Sequence, residues 1–507
     1  MENKEQLLRS DWTVSRTAAV TFNGASDCSI VDCEFDQVGG NTILVNNYNR
    51  RIAIRGCYIH DSGASGVVFV GDPAAVRSPL FRYAKQDYKN IDRTPGPKSD
   101  NYPADCVVEN CLITRTGRDE KQTAPVHISM VYGVKVSHCS IYDVPRAGIN
   151  INEGTFGGHV IEFCDVFNTV LETGDHGSFN SWGRDRYWTP SIKETCNEVA
   201  NDSTMPFWDM LAPNIIRNSR WRCDHGWDID LDDGSTNYLI YNNLLLRGGL
   251  KLREGYRRIV TNNVIVNNSL HPHVWYINSG DIFKHNIVFN RYFPAIMNSA
   301  ISENGKWGKE LDYNYFVASE AHKVKFNANG CDLNSAFGEA EFIDAAKGDF
   351  RVKDNSPVLK IGFVNFPMDQ FGVQKPSLKA IAKTPVIPEL RISCDKPTVV
   401  EKTTKYFWMD VELKEPKGEE MSAFGVGFDE GGVLFTLVAE NSVAAKMGFR
   451  TSDLLQGVNG VKIKTIQQLN DYITANNKGN KKHIFTVVRN QSPMKITINQ
   501  LFALIII

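Results

Sequence analysis

Short apolar–polar alternations recur along the first two-thirds of the chain, each a few residues long and closed by a polar turn. VDCEF surrounds Cys33, IRGCYI Cys57, VENCLI Cys111, VSHCSI Cys139 and IEFCDV Cys164. Farther on asparagine takes the place of cysteine: IIRNSR at Asn218, IYNNLLL at Asn243, VTNNVIV at Asn263, FKHNIVF at Asn286 and LDYNYF at Asn314. Successive markers lie 24, 54, 28, 25, 54, 25, 20, 23 and 28 residues apart, so each long step holds two coils or one coil with an insertion. Two-residue alternation repeated every 20–28 residues predicts a parallel β-solenoid. One coil cannot bury its apolar face alone, and stacking makes a continuous core with inward ladders of Cys and Asn. The LxxLxLxxN phrase of a leucine-rich repeat is missing.

Beyond each marker a second alternation follows: Gly148-Ile149-Asn150-Ile151-Asn152, then Trp227-Asp228-Ile229-Asp230-Leu231, then Leu250-Lys251-Leu252-Arg253-Glu254. Successive strand side chains point to opposite faces. The expectation is Ile149, Ile151, Ile229, Leu231, Leu250 and Leu252 inside, with Asn150, Asn152, Asp228, Asp230, Lys251 and Arg253 on one outer face. Coils stack about 4.8 Å apart, so this face carries a polar column. Counting back places Asp175 at the level of Asp228, with His127 and Ser129 beyond. His271 and His273 extend the column past Arg253. Two long excursions, 71–106 and 179–213, are expected beside this face. The second brings Trp182, Tyr187, Trp188 and Trp208 with Arg184 and Arg186, residues suited to stacking on sugar rings and gripping carboxylates or hydroxyls.

Composition adds little to this. With 507 residues, 42% of them hydrophobic, the chain has room for more than one domain and a sizeable core. A net charge of −2 gives no overall field to attract nucleic acid or an anionic membrane. The eleven cysteines form no zinc-like spacing, and several mark coils. No apolar run is long enough to span a membrane, and the residues after Met1 do not form a signal region. The repeat starts so close to Met1 that the original start is expected to be missing.

The coil phrases, closed by FIDAAKGDFRVKDNSPVLKIGF, resemble the pectate-lyase-like, right-handed parallel β-helix superfamily over residues 1–365. That superfamily holds polysaccharide lyases and glycoside hydrolases as well as non-catalytic members. Residues 366–419, rich in proline, are expected to form a linker. Residues 420–500 resemble a bacterial PDZ domain, a small α+β fold. Phe424, Gly425 and Val426 would form its carboxylate-binding loop, and NSVAAKMGF and SDLLQGVNG match its later elements. Such a domain captures a peptide C-terminus by strand addition. Val443 and Ser452 depart from its usual proline and glycine.

Two chemistries could use the column. Glycosidic hydrolysis needs a carboxylic acid to protonate the leaving oxygen and a carboxylate to attack or activate water. Asp175 with Asp228 or Asp230 would supply them, Asp185 and Asp233 stand in reserve, and His176 or His225 would tune the pair. His127, Asn152, His176, Trp182, Arg184, Lys251, Arg253, Glu254 and His273 would bind substrate. The phrase ETGDHGSFNSWGRDRYW resembles β-helical glycoside hydrolases of secreted bacterial glycan-degrading systems. The alternative is β-elimination from a uronic acid, with Lys251 or Arg253 as base and Ca²⁺ held by Asp228, Asp230, Asp232 and Asp233. WDIDLDD followed by LKLREG is loosely similar to the calcium cluster and lysine of some pectate lyases. A third reading is a glycan-binding scaffold without catalysis. The hydrolase reading needs no cofactor or metal. It places the protein outside the cytoplasm, at the cell surface or in the periplasm, acting on a polysaccharide or oligosaccharide.

Overall fold

The structure, a computed structural model, describes residue 12 and residues 14–391 apart from 82–83, 153–154 and 298–304. It also describes 406–501 apart from 417–420, 422–423, 425, 427–429, 440, 477–481, 490–491 and 500, and the pair 505–506. Two compact units divide near residue 394.

The first unit is a parallel β-solenoid with three sheets, of ten, eleven and ten strands. One sheet runs through Ala18–Ser26, Asn41–Arg50, Val67–Val70, Val126–Ser129, Ile149–Ile151, Gly177–Ser181, Trp227–Leu231, Leu250–Arg253 and Leu270–His273. A tight corner joins the other two sheets in each coil, and its corner residue takes a left-handed backbone: Asp32, Gly56, Asn110, His138, Phe163, Asn218, Asn242, Asn262 and His285 all have φ between 48° and 61°. Gly and Asn accept this conformation most readily.

The inward ladder residue follows each corner. Asn243, Asn263, Asn286 and Asn314 form a hydrogen-bonded stack in which each Oδ1 accepts the main-chain N–H of the preceding ladder residue, at 2.9–3.2 Å. Cys57, Cys111, Cys139 and Cys164 continue it as buried thiols, each donating to a main-chain carbonyl. One position differs from expectation. Asn218 is the corner residue of its coil, and Ser219 is the ladder member, accepting from Cys164 N and donating its own N–H to Asn243.

The stretch from 366 to 391 is not a free linker. Gly372 N donates to Phe163 O, Val373 N to Ser140, Gln374 N to Asn110 and Lys375 Nζ to Asp32. A short helix, Pro376–Lys379, reverses the chain, which returns past Asp143 through Lys383 and Asn267 through Arg391. This hairpin strap covers an apolar stripe on the outside of one sheet, where Leu112, Tyr142 and Phe167 meet Val373 and Leu378.

Among the described residues, the second unit is a small antiparallel sheet with the helices Val443–Lys446 and Ile466–Asn476 packed on it. Trp408, Phe435, Phe449, Phe485, Leu469 and Ile473 form its core. Of the expected carboxylate-binding loop, Phe424 is buried with Met421, Leu454 and Val488, and Val426 packs at the edge of that cluster. Gly425 lies outside the described residues. Among the described residues, no helix is long and apolar enough to cross a membrane.

Candidate active site

The first sheet brings the polar column together as the alternation requires. Ile229 lies opposite Leu250 and Phe179, all three buried inward. One outer row runs His127, Asn150, Asn180, Asp230, Lys251, His271, each paired with the next by strand register. Arg253 and His273 form the neighbouring row, with Asp232 just past the end of its strand.

Asp230 and Asp232 are two residues apart on one outer face and share a cation. Lys251 Nζ is 3.0 Å from Asp230 Oδ1 and 3.1 Å from Asp232 Oδ1. Asn180 Nδ2 donates to the other Asp230 oxygen at 3.2 Å. Their environments act in opposite directions. Burial, aided by Asp232 and Asp175, pushes Asp230 up to about 8 against the pull of Lys251. Burial also opposes ionisation of Asp232, but Lys251, Arg253, His176 and Arg184 overcome it and hold that carboxylate well below its usual range. Lys251 suffers the same burial, which Asp230, Asp232 and Asp175 outweigh, so its ammonium is held protonated. It lies 4.2 Å from the centre of the Trp227 ring, a cation–π contact.

Asp228 is not part of this pair. Its Oδ1 accepts from Cys223 N at 2.7 Å, and its Oδ2 from Arg247 N at 2.9 Å and Gly249 N at 3.2 Å. A side chain on Gly248 would come within 2.4 Å of Asp228 N, so the Arg247-Gly248-Gly249 turn wraps the carboxylate only because it is small. Asp228 is a buried corner brace, and burial pushes it up to about 7 despite those donors. Nor does Asp175 stand level with it: Phe179 pairs with Ile229, which puts Ser178 opposite Asp228. Asp175 precedes the strand, half-buried, with φ 79°. Its charge still reaches Asp230 and Lys251.

Asp233 is fully engaged, by Arg253 Nε at 2.7 Å and by Arg184 at 2.9 Å. Asp185 lies apart, in a small cleft with Arg77, Gln86, Arg186 and Asp209. Glu254 accepts from Trp188 Nε1 at 2.6 Å. Burial and then Asp233 push it up to about 8, with Arg253 opposing. His127 is kept neutral by burial, at about 3. His273 is also neutral, through burial and the charges of Lys251, His271 and Arg253. His176 bonds Arg146 at 3.0 Å, whereas His225 is exposed. Asn152 accepts from Asn150 and from the Trp182 indole. Of the loop aromatics, Trp182 meets the column and carries Arg184 stacked at 3.9 Å. Tyr187 and Trp188 are buried, and Trp208 is buried under the Arg186 guanidinium, 5.5 Å from its ring centre.

The proposed calcium cage does not fit. Asp228 is taken by main-chain donors, and Asp230, Asp232 and Asp233 by Lys251, Arg253 and Arg184. Among the described residues, only Asp36, His60 and Asp61 bring three ligand-type atoms together, and Arg115 and Arg118 already pair with Asp61.

Sequence reasoning missed Asn180, Arg146 and the part played by Asp232 in the carboxylate pair. Treating Phe179 as the inward residue of GSFNS would have placed Asn180 in the column.

No family model and no curated protein matches the chain. Among solved structures, a chain titled "Glycoside hydrolase" aligns with a TM-score of 0.29 and 13% identity, over 52% of this chain and 38% of that one. A likeness at that level says nothing of chemistry, so the chain is characterised by its β-solenoid fold and by the carboxylate pair on its first sheet.

Proposed function

We propose that the chain is a carbohydrate-active enzyme that hydrolyses a glycosidic bond, with Asp230 as the proton donor and Asp232 as the partner carboxylate. One observation carries this reading: two carboxylates, one on a strand and one just past its end, are bridged by Lys251 and driven toward opposite protonation states at neutral pH. Asp230 would give its proton to the leaving oxygen. Asp232, ionised, would attack the anomeric carbon or stabilise its positive charge, and water would complete the exchange. Sharing one ammonium keeps the near oxygens within about 6 Å, on the short side of the split that separates retaining from inverting enzymes. Asp175, at the rim, and the neutral row His127–Asn150–Asn180 would meet substrate.

The elimination reading is weaker, because Lys251 is locked protonated between two carboxylates and Arg253 does not lose its proton. The test is a panel of plant and host glycans with products read by mass and by anomeric configuration. Hydrolysis adds one water and is expected with retention. Asp230→Asn and Asp232→Asn should each lower turnover by at least ~100-fold with folding intact. Full activity in both variants, or an unsaturated product, would rule the reading out. For the second unit we propose peptide capture of the PDZ kind, supported by the sequence resemblance and by a small antiparallel sheet carrying the helices Val443–Lys446 and Ile466–Asn476; binding to a library of C-terminal peptides tests it.

A further inference from the structure

Away from the carboxylate pair, the eleven-stranded sheet carries another polar cluster at its start. Glu34–Asp36 and Tyr58–His60 are its first two strands, and their register sets Glu34 opposite Tyr58 and Asp36 opposite His60. Phe35 pairs with Ile59, which is buried inward, so alternation turns Glu34, Asp36, Tyr58 and His60 to the outer face. Asp61 follows at a corner, with φ 55°.

The His60 imidazole is 8% exposed and stacks on the Tyr58 ring at 4.0 Å. Its two nitrogens meet three carboxylates. Nε2 lies 3.1 Å from Glu34 Oε1, and Nδ1 lies 2.9 Å from Asp61 Oδ2 and 3.3 Å from Asp36 Oδ1. A neutral imidazole has one N–H. Given to Glu34, it leaves the Nδ1 lone pair aimed at two carboxylate oxygens, an arrangement that calls for a cation among them. The three ligand atoms lie within 4.8 Å of one another. Ligands about 2.1 Å from a zinc-sized ion are about 3.0 Å apart on an octahedral edge and about 3.4 Å on a tetrahedral one, close to the two separations at Nδ1. The Glu34 contact is the support a metal-binding histidine ordinarily has, its second nitrogen donating to a carboxylate. Asp61 is shared: Arg115 and Arg118 hold it at 2.7 and 2.8 Å, which fixes its direction and weakens its grip on an ion.

We infer that Asp36 Oδ1, His60 Nδ1 and Asp61 Oδ2 form a site for a divalent transition-metal ion of the zinc type, with Glu34 as a positioning residue. An imidazole among the ligands favours zinc over calcium, which takes oxygen. Asp36 comes from one coil and His60 and Asp61 from the next, so the ion staples two coils from outside. This role is independent of the glycan-cleaving reading.

The experiment titrates the metal-stripped full chain with ZnCl₂ and, separately, CaCl₂ by calorimetry, and follows thermal unfolding with each. One Zn²⁺ per chain is expected, with a rise in the unfolding midpoint and no response to calcium. Asp36→Asn and His60→Ala should each weaken Zn²⁺ binding at least ~10-fold and remove the rise, and Glu34→Gln should weaken it about tenfold. His225→Ala, at an exposed histidine elsewhere, should change neither. The Asp36 side chain is 49% exposed, so if His60→Ala fails to fold, Asp36→Asn decides. Zn²⁺ binding that survives these substitutions lies elsewhere and overturns the proposal. So does a midpoint that rises with acid and not with Zn²⁺, because a proton on Nδ1 is then the cation among the carboxylates.

Discussion

At the scale of single residues, Asp228 and Asp230 are neighbours on one strand with different work. Asp228 accepts from three main-chain N–H groups at a corner; Asp230 faces Lys251 and Asn180. Replacing Asp228 by Asn puts an amide N–H₂ where donors already converge, and should cost about 2 kcal/mol in thermal or urea unfolding. Turnover per folded molecule should hardly change, the opposite of Asp230→Asn. The two also separate by pH. Asp228 titrates near 7 in the folded chain against an ordinary 3.8, so the native state holds a proton that the unfolded state has lost. Its contribution to stability is complete below about 4 and disappears as pH rises through 7. Stability measured across that window should therefore fall less steeply in Asp228→Asn. Asp230 works as the protonated acid, so the rate should decline as pH rises through about 8, a limb set by burial that Asp228→Asn should keep.

At the scale of elements, the corner-and-ladder unit is where sequence was most readable. Cys and Asn mark the inward turn because both are compact and the Asn amide reaches two carbonyls and the next coil. Asn263 donates to Ile240 O, Thr261 O and Asn286 Oδ1, and its own Oδ1 takes the Asn243 N–H. Asn263→Ala leaves those carbonyls dry, and about 3 kcal/mol of destabilisation is expected in denaturant unfolding. Alternation likewise revealed which residues of Trp227–Leu231 and Leu250–Arg253 face out. It failed where a strand is entered irregularly: Asp175 and His176 both adopt positive φ, 79° and 82°, so counting through them lost the register and passed over Asn180. Asp228 was misread for another reason. Its alternation is correct, but the partners that occupy it are main-chain N–H groups of its own coil and the next, which side-chain pattern does not show.

At the scale of the molecule, the solenoid is a stack of nearest-neighbour contacts, in which ends ordinarily feel nothing of each other. The strap alters that. Lys375 reaches Asp32 in an early coil, while Arg391 returns to Asn267 near the far end. Proline-rich composition disguised this segment as a spacer, since its fixing hydrogen bonds come from corner side chains and a serine hundreds of residues away. Leu378→Asp places a charge on the apolar stripe and should lower stability by at least ~2 kcal/mol, with proteolytic cuts appearing first within 366–391. The strap also sets an order in time. A ribosome adding about 5–20 residues per second completes the coils carrying Leu112 and Tyr142 long before it reaches Val373 and Leu378. For roughly ten seconds to a minute of every synthesis the stripe stands open to water, and to the same stripe on another nascent chain.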